Sequence, residues 1–334
     1  MHLPAAAQSA TVTSPTRSAG QSLANAGPWM LGVSSTPSLP VAPMAPAAPT
    51  APEQRHLDRW NEQVRRGVNG INEHERVSVG ASTLHPLMFG VPGYQFTGGV
   101  ATMHAGVELL VEQGGSDTEG TIAELSALID VAPALAINHL AQVKVEARQD
   151  DGFDRYFEKA YHIPGFKAVA ASGPGQSVYF GGRIYSAGAF FHELGHGAGD
   201  LISGREWLRA LKSDDAVVRG LLATGTLTPR QLGPVEPDPA RRARWTPRLA
   251  PGGVTPYGDQ ALNAGGTPVE DICESLKLRT VERYFHEAMA TYRDSATGAE
   301  RAIGFSELYP NRAALLSALG PSVADQRATA HAPG

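Results

Sequence analysis

Cysteine is nearly absent from this sequence. Cys273 is the only one in 334 residues, which excludes an internal disulfide and a cysteine-rich zinc knuckle and suits a reducing compartment. Long hydrophobic runs are missing as well. No stretch reaches the roughly 18 apolar residues that a membrane span needs. The apolar run Trp29-Met30-Leu31-Gly32-Val33 is too short and too far along for a secretory h-region. Basic blocks are lacking: 28 Lys and Arg stand against 33 Asp and Glu, and a net charge of −5 argues against nucleic acid as the main partner. No repeat with a period of about 20–50 residues is visible.

Charge itself is missing from one end. Residues 1–52 carry a single charged side chain, Arg17, and the first acidic residue is Glu53. Ala, Pro, Ser and Thr fill 33 of those 52 positions, so the segment has little with which to offset the entropy of ordering a chain. Residues 1–54 are therefore expected to be a disordered leader. The remaining 60 of the 61 charged side chains belong to the following 282 residues, a normal density for a folded unit. One domain is expected over 55–324, with a flexible tail over 325–334.

Within that domain, His56–His74 has apolar residues at helical spacing (Leu57, Trp60, Val64, Val68). Residues 75–118 read as short strands and loops. Thr121–Val145 reads as one or two helices, with Thr121 as N-cap, Glu124 three residues on and a break at Pro133. Ser177–Tyr185 is β-branched and aromatic around a Gly pair, a strand or tight hairpin, and Ala187–His196 is helical. A further helix is expected over Gly204–Leu211. Seven prolines between 223 and 256 mark an irregular insertion of the kind that makes lids or binding loops. Pro268–Tyr292 reads as one continuous helix and Leu308–Leu319 as a last short one, with fraying from Asp325.

The chemistry concentrates in His192-Glu193-Leu194-Gly195-His196, an HExxH motif. On a helix, residues i and i+4 share a face, so both imidazoles can address one ion. Glu193, rotated to the side, can reach a water and act as the general base of a zinc hydrolase. At these residue frequencies a chance match is expected only about 0.02 times in such a chain. A catalytic zinc site needs a third protein ligand. Ile202 stands where an extended HExxHxxGxxH pattern needs His, which excludes that arrangement. Two candidates are left: Asp259, after Tyr257-Gly258, and the helix from Pro268 to Leu278. There Glu270 and Glu274 again stand at i and i+4, beside an apolar side of Val269, Ile272, Cys273 and Leu276. Two like charges on such a helix repel and resist desolvation, and a dication removes that cost.

Tyr257-Gly258 followed by Thr267-Pro268-Val269-Glu270 and the Glu270-to-Glu274 helix resembles the C-terminal signature of the anthrax lethal factor catalytic-domain family. The stretch His192 to Asp200 is similar to that family's HEFGH helix, including an Asp four residues after the second His. The NleD-like type III effector metalloproteases are similar in their HELxH core and in a disordered leader. The likeness covers residues from about 184 to 280. It implies an α+β, zincin-like metalloprotease domain with a small twisted sheet, an HExxH helix and a C-terminal helical part. It implies His192, His196 and Glu270 as Zn2+ ligands and Glu193 as base. Tyr257 would supply the hydroxyl that stabilises an oxyanion or protonates a leaving amine, and Glu274 and Asp200 would orient ligands. The interval from Tyr257 to Glu270 is longer than in that family, by an insertion from Asp259 to Gly266, so Tyr185 is the rival tyrosine.

The functional expectation is a zinc endopeptidase cleaving a host protein or peptide. The strand Val178–Tyr185 is expected to bind extended substrate by edge pairing. The acid-free leader resembles a type III secretion signal, which implies delivery into host cytosol and a secretion chaperone as a partner of the leader. Neither nucleic acid nor membrane is expected as a partner. The alternatives are a host-protein binding module with a structural or vestigial zinc site, and a housekeeping zinc peptidase.

Overall fold

Val107-Glu108-Leu109-Leu110-Val111-Glu112 is almost continuously apolar, the pattern of a strand buried on both faces, and it forms the centre of the main sheet. The computed structural model describes residues 73–80, 82–83, 95–115, 117–161, 164–165, 167–173, 175–182, 186–199, 201–230, 232, 246–263 and 267–330. The expected leader, the helix expected over His56–His74 except for its last two residues, Asp200, Tyr185 and positions 231 and 233–245 of the Pro-rich segment lie outside these residues.

The strands in chain order are β1 (Val77–Val79), β2 (Ser82–Thr83), β3 (Gln95–Phe96), β4 (Gly99–His104), β5 (Val107–Glu112), β6 (Gln142–Val145), β7 (Ala170–Gly173), β8 (Gln176–Tyr179), β9 (Gly225–Pro229), β10 (Ala290–Asp294) and β11 (Glu300–Ile303). The helices are α1 (Thr118–Val131), α2 (Ala134–Asn138), α3 (Asp151–Tyr161), α4 (Ala187–Gly199), α5 (Gly204–Thr224), α6 (Pro256–Asn263), α7 (Val269–Phe285), α8 (Phe305–Leu308), α9 (Pro310–Ser317) and α10 (Val323–Ala330).

The fold is mixed α/β. Six strands form one sheet in the order β1-β4-β5-β6-β8-β7, with parallel β5/β6 and β6/β8 pairs inside antiparallel neighbours. A second sheet of order β11-β10-β9 is antiparallel, and β2 pairs with β3. Helix α1 connects β5 to the parallel β6 and buries Ile122, Leu125, Leu128 and Ile129, a helical spacing that turns one face to the sheet. The core continues through Val143, Val178, Phe190, Phe191, Trp207 and Leu276 into Phe305 and Tyr309, so both sheets and the helices between them share it. Among the described residues no helix is long and apolar enough to cross a membrane.

Several local expectations are corrected. The segment read as short strands and loops does supply strands, β1 to β5, and the corrections lie elsewhere. Helix α1 starts at Thr118, so Thr121 is not its cap; its hydroxyl donates to the Asp117 carbonyl from inside the helix at 2.8 Å. The break at Pro133 holds, but 142–145 is a strand, since Gln142 to Val145 pair with β5 and β8 in a parallel register. Helix α5 runs to Thr224, well past Leu211, capped by Ser203, and its end passes into β9, inside the segment read as irregular. Helix α7 stops at Phe285, where His286 takes a left-handed conformation (φ 53°), and Ala290–Asp294 pairs between β9 and β11. Residues 323–330 are helical rather than frayed. Edge pairing through Val178 and Tyr179 is also overturned, since β8 is filled on both sides by β6 and β7; residues 183–185 of that expected strand lie outside the described residues.

A candidate metal site between two helices

Helix α4 lies in the core. Phe190 and Phe191 are buried on it, and Phe190 stacks on Tyr179 of β8 with ring centroids 6.5 Å apart. Its other side meets α7 at unusually short range, because Gly195 faces Cys273. A Cβ at Gly195 would lie 2.6 Å from the Cys273 Cα and 3.0 Å from its Sγ, so only glycine admits this approach. The packing brings the HExxH face against the first two turns of α7.

There His192 Nε2 lies 3.3 Å from Glu270 Oε2, and His196 Nε2 lies 4.0 Å from the same oxygen. The two imidazoles are 5.2 Å apart, centroid to centroid, at 79°. One ligand atom each from His192, His196, Glu270 and Cys273 fall within 4.8 Å of one another, and all four residues are buried. The other carboxylate of the i, i+4 pair plays a different part. Glu274 Oε1 is 2.7 Å from His192 Nδ1, and its Oε2 accepts from Thr255 Oγ1 at 2.8 Å and Lys277 Nζ at 2.6 Å. A carboxylate on Nδ1 holds the ring in place and leaves Nε2 to face Glu270, the usual support of a metal-ligating histidine.

Glu193, one residue on from His192, meets Ser172 of β7. Its Oε2 accepts from Ser172 Oγ at 2.5 Å, while Oε1 is buried and has no hydrogen-bond partner. Tyr257, in the first turn of α6, is buried with its ring 5.7 Å from His192. Its neighbour Gly258 lets α6 sit close on α7, since a Cβ there would be 3.1 Å from the Asp271 Cα.

The charges are crowded. Burial pushes Glu193 up to about 8, against the pull of the His192 charge and the Ser172 hydroxyl. Burial works against a charge on His192 too, but the Glu270 and Glu274 carboxylates outweigh it and hold the ring up to about 10. Burial would raise Glu274, yet Lys277 and His192 bring it down to about 2. Burial, aided by the surrounding carboxylates, lifts the Cys273 thiol well above its ordinary range. The site thus gathers buried carboxylates around two imidazoles and favours a positive charge at its centre. The donor set fits a divalent transition metal: Glu270 Oε2 is buried, has no hydrogen-bond partner and faces both Nε2 atoms.

Of the residues expected from sequence, the structure thus brings together His192, His196, Glu270, Glu193, Glu274 and Tyr257. Asp259 is elsewhere engaged, paired with Arg248 at 2.5 Å and accepting from Gly253 N at 3.1 Å, outside the ligand group. Three participants escaped sequence reading. Cys273 was read as packing, and its position beside Glu274 was the available signal. Ser172 carries no local signal. Asp271, next to Glu270, accepts from Trp207 Nε1 and the Val254 amide, both at 2.8 Å, and anchors α7 under the site. Compared with models of known families, with curated proteins and with solved structures, the chain matches none, so the site is defined by its own geometry.

Proposed function

We propose that this chain is a zinc-dependent endopeptidase with a zincin-like active site, in which His192, His196 and Glu270 hold the ion and Glu193 is the general base. One observation supports the reading above the others. A buried glutamate oxygen without a hydrogen bond faces the Nε2 atoms of an HExxH pair, and the nearer imidazole is held from behind by a second glutamate. Bound there, zinc would supply Lewis acidity, polarising a scissile carbonyl and making water a nucleophile near neutral pH.

The chain's own groups do the rest. Ser172 fixes one oxygen of Glu193, and the other, Oε1, takes the proton of the attacking water and passes it to the leaving amine. Tyr257, beside His192, donates its phenol to the developing negative charge. The acid-free composition of residues 1–52 supports the further reading of a delivered effector whose substrates are host proteins.

Glu193→Gln should keep zinc and lower peptide cleavage by about 10²–10⁴-fold. Metal content by mass spectrometry and new N-termini in a lysate measure the two halves. Undiminished cleavage by the variant sinks the mechanism. A second reading has its own observation: Cys273 Sγ lies within the ligand group and would complete a closed four-ligand structural site. On that reading Cys273→Ser releases zinc; on the catalytic one it leaves zinc in place.

A further inference from the structure

We propose a second site, for a divalent transition-metal ion of the zinc type, built by Glu73, His74 and His104 at the tip of the β4–β5 hairpin. The hairpin turns through Ala105 (φ 52°) and Gly106 (φ 77°), positive values at both central positions as a tight two-residue turn requires. Residues 73–74 lie alongside that tip. The Ala105 amide donates to Glu73 Oε1 at 2.7 Å, and the His74 amide donates to the Met103 carbonyl at 3.0 Å. His74 is itself left-handed (φ 66°) and sets its ring 5.3 Å from that of His104. One ligand atom from each of the three residues falls within 4.8 Å of the others.

The state of His104 points to a cation. The residue is only 5% exposed. Its Nε2 lies 2.8 Å from Asp130 Oδ1 on α1, a contact in which the carboxylate accepts and the ring donates, which turns Nδ1 toward Glu73. That Nδ1 is buried, has no hydrogen-bond partner and lies 4.0 Å from Glu73 Oε1. A buried ring nitrogen without a hydrogen bond, set beside a carboxylate oxygen, is a pair that a shared cation would satisfy. The order Asp130, His104, open Nδ1 is the carboxylate–histidine relay that orients metal ligands. Two imidazoles and one carboxylate select a zinc-like ion over magnesium or calcium, which take oxygen. Arg327 flanks the group, 3.0 Å from Glu73 Oε1 and 3.4 Å from Asp130 Oδ1, so the ion shares Glu73 with an exposed guanidinium.

The test uses the full chain and Zn2+ alone, with equilibrium dialysis, metal counting by mass spectrometry and chelator competition. The chain should take up one zinc more than its His74→Ala variant, an exposed position whose truncation spares the core. Asp130→Asn, which keeps the three ligands, should bind that ion about 10–100-fold more weakly. Equal uptake and affinity in the unmodified chain and His74→Ala overturns the proposal. The HExxH site contributes equally to all three proteins. One zinc falling to none in His74→Ala therefore upholds this site while refuting zinc at the other.

Discussion

Gly195 and Gly197 stand two residues apart on α4 and meet opposite surroundings. A side chain at Gly195 would run into the backbone of Cys273, whereas nothing lies within 4 Å of a Cβ at Gly197. Alanine is the better helix former by about 0.5–1 kcal/mol, so propensity alone predicts gains at both positions. Packing reverses the sign at the first. Gly195→Ala should destabilise by about 1–3 kcal/mol, the usual cost of overpacking, and on the proposed reading weaken zinc binding because α4 and α7 must part. Gly197→Ala should stabilise by up to about 1 kcal/mol. Denaturant melts of the two variants decide it, and a stabilised Gly195→Ala would mean the helices are not held at this distance.

At the scale of elements, α7 is held where it carries Glu270 and Glu274. Arg312 of α9, fully buried, pairs with Asp214 of α5 and Asp271 of α7, both at 3.0 Å, and lies over the Tyr309 ring at 4.4 Å. Three helices are joined through one guanidinium. Removing one partner of such a group leaves buried charge uncompensated, at a cost of about 3–5 kcal/mol. Arg312→Ala should lose that much in urea melts and, on the proposed reading, bind zinc more weakly, although it touches none of the proposed ligands. A loss under about 1 kcal/mol would show that α7 is fixed by its apolar contacts alone. Such a network has no sequence signature: Asp214, Asp271 and Arg312 lie on separate helices, and Asp214 and Arg312 are 98 positions apart.

At the scale of the whole chain, the division of labour is compositional. The residues of the proposed catalytic site all lie after 170, while residues 1–52 hold one charge. On the proposed reading, deleting residues 1–52 abolishes delivery into a recipient cell and leaves cleavage of a soluble substrate within about twofold, since a segment so poor in apolar and charged anchors adds little to a core. Loss of cleavage by the purified truncated chain would show that the leader belongs to the enzyme itself.

The legible part of the site was the part made by one turn of helix. His192, Glu193 and His196 follow from the helical period, and so do Glu270 and Glu274, because i and i+4 positions share a face whatever surrounds them. Local pattern also recovered α4, the Pro133 break and α9, which lies within the helix expected over Leu308–Leu319. It failed where pairing overrode periodicity: 142–145 and 290–294 are strands because partners from distant segments complete their hydrogen bonds. Only tertiary structure could divide the two glutamates, turning Glu270 toward both Nε2 atoms and Glu274 behind His192, across a separation of 82 residues. The same packing drew Ser172 to Glu193, put Cys273 within reach of the ligands and set Asp259 against Arg248. The sequence by itself determined which side chains share a helix face, since that depends on local backbone geometry. Which of those faces meet depended on how α4, α7 and β7 bury their apolar sides together, and that is a property of the whole fold.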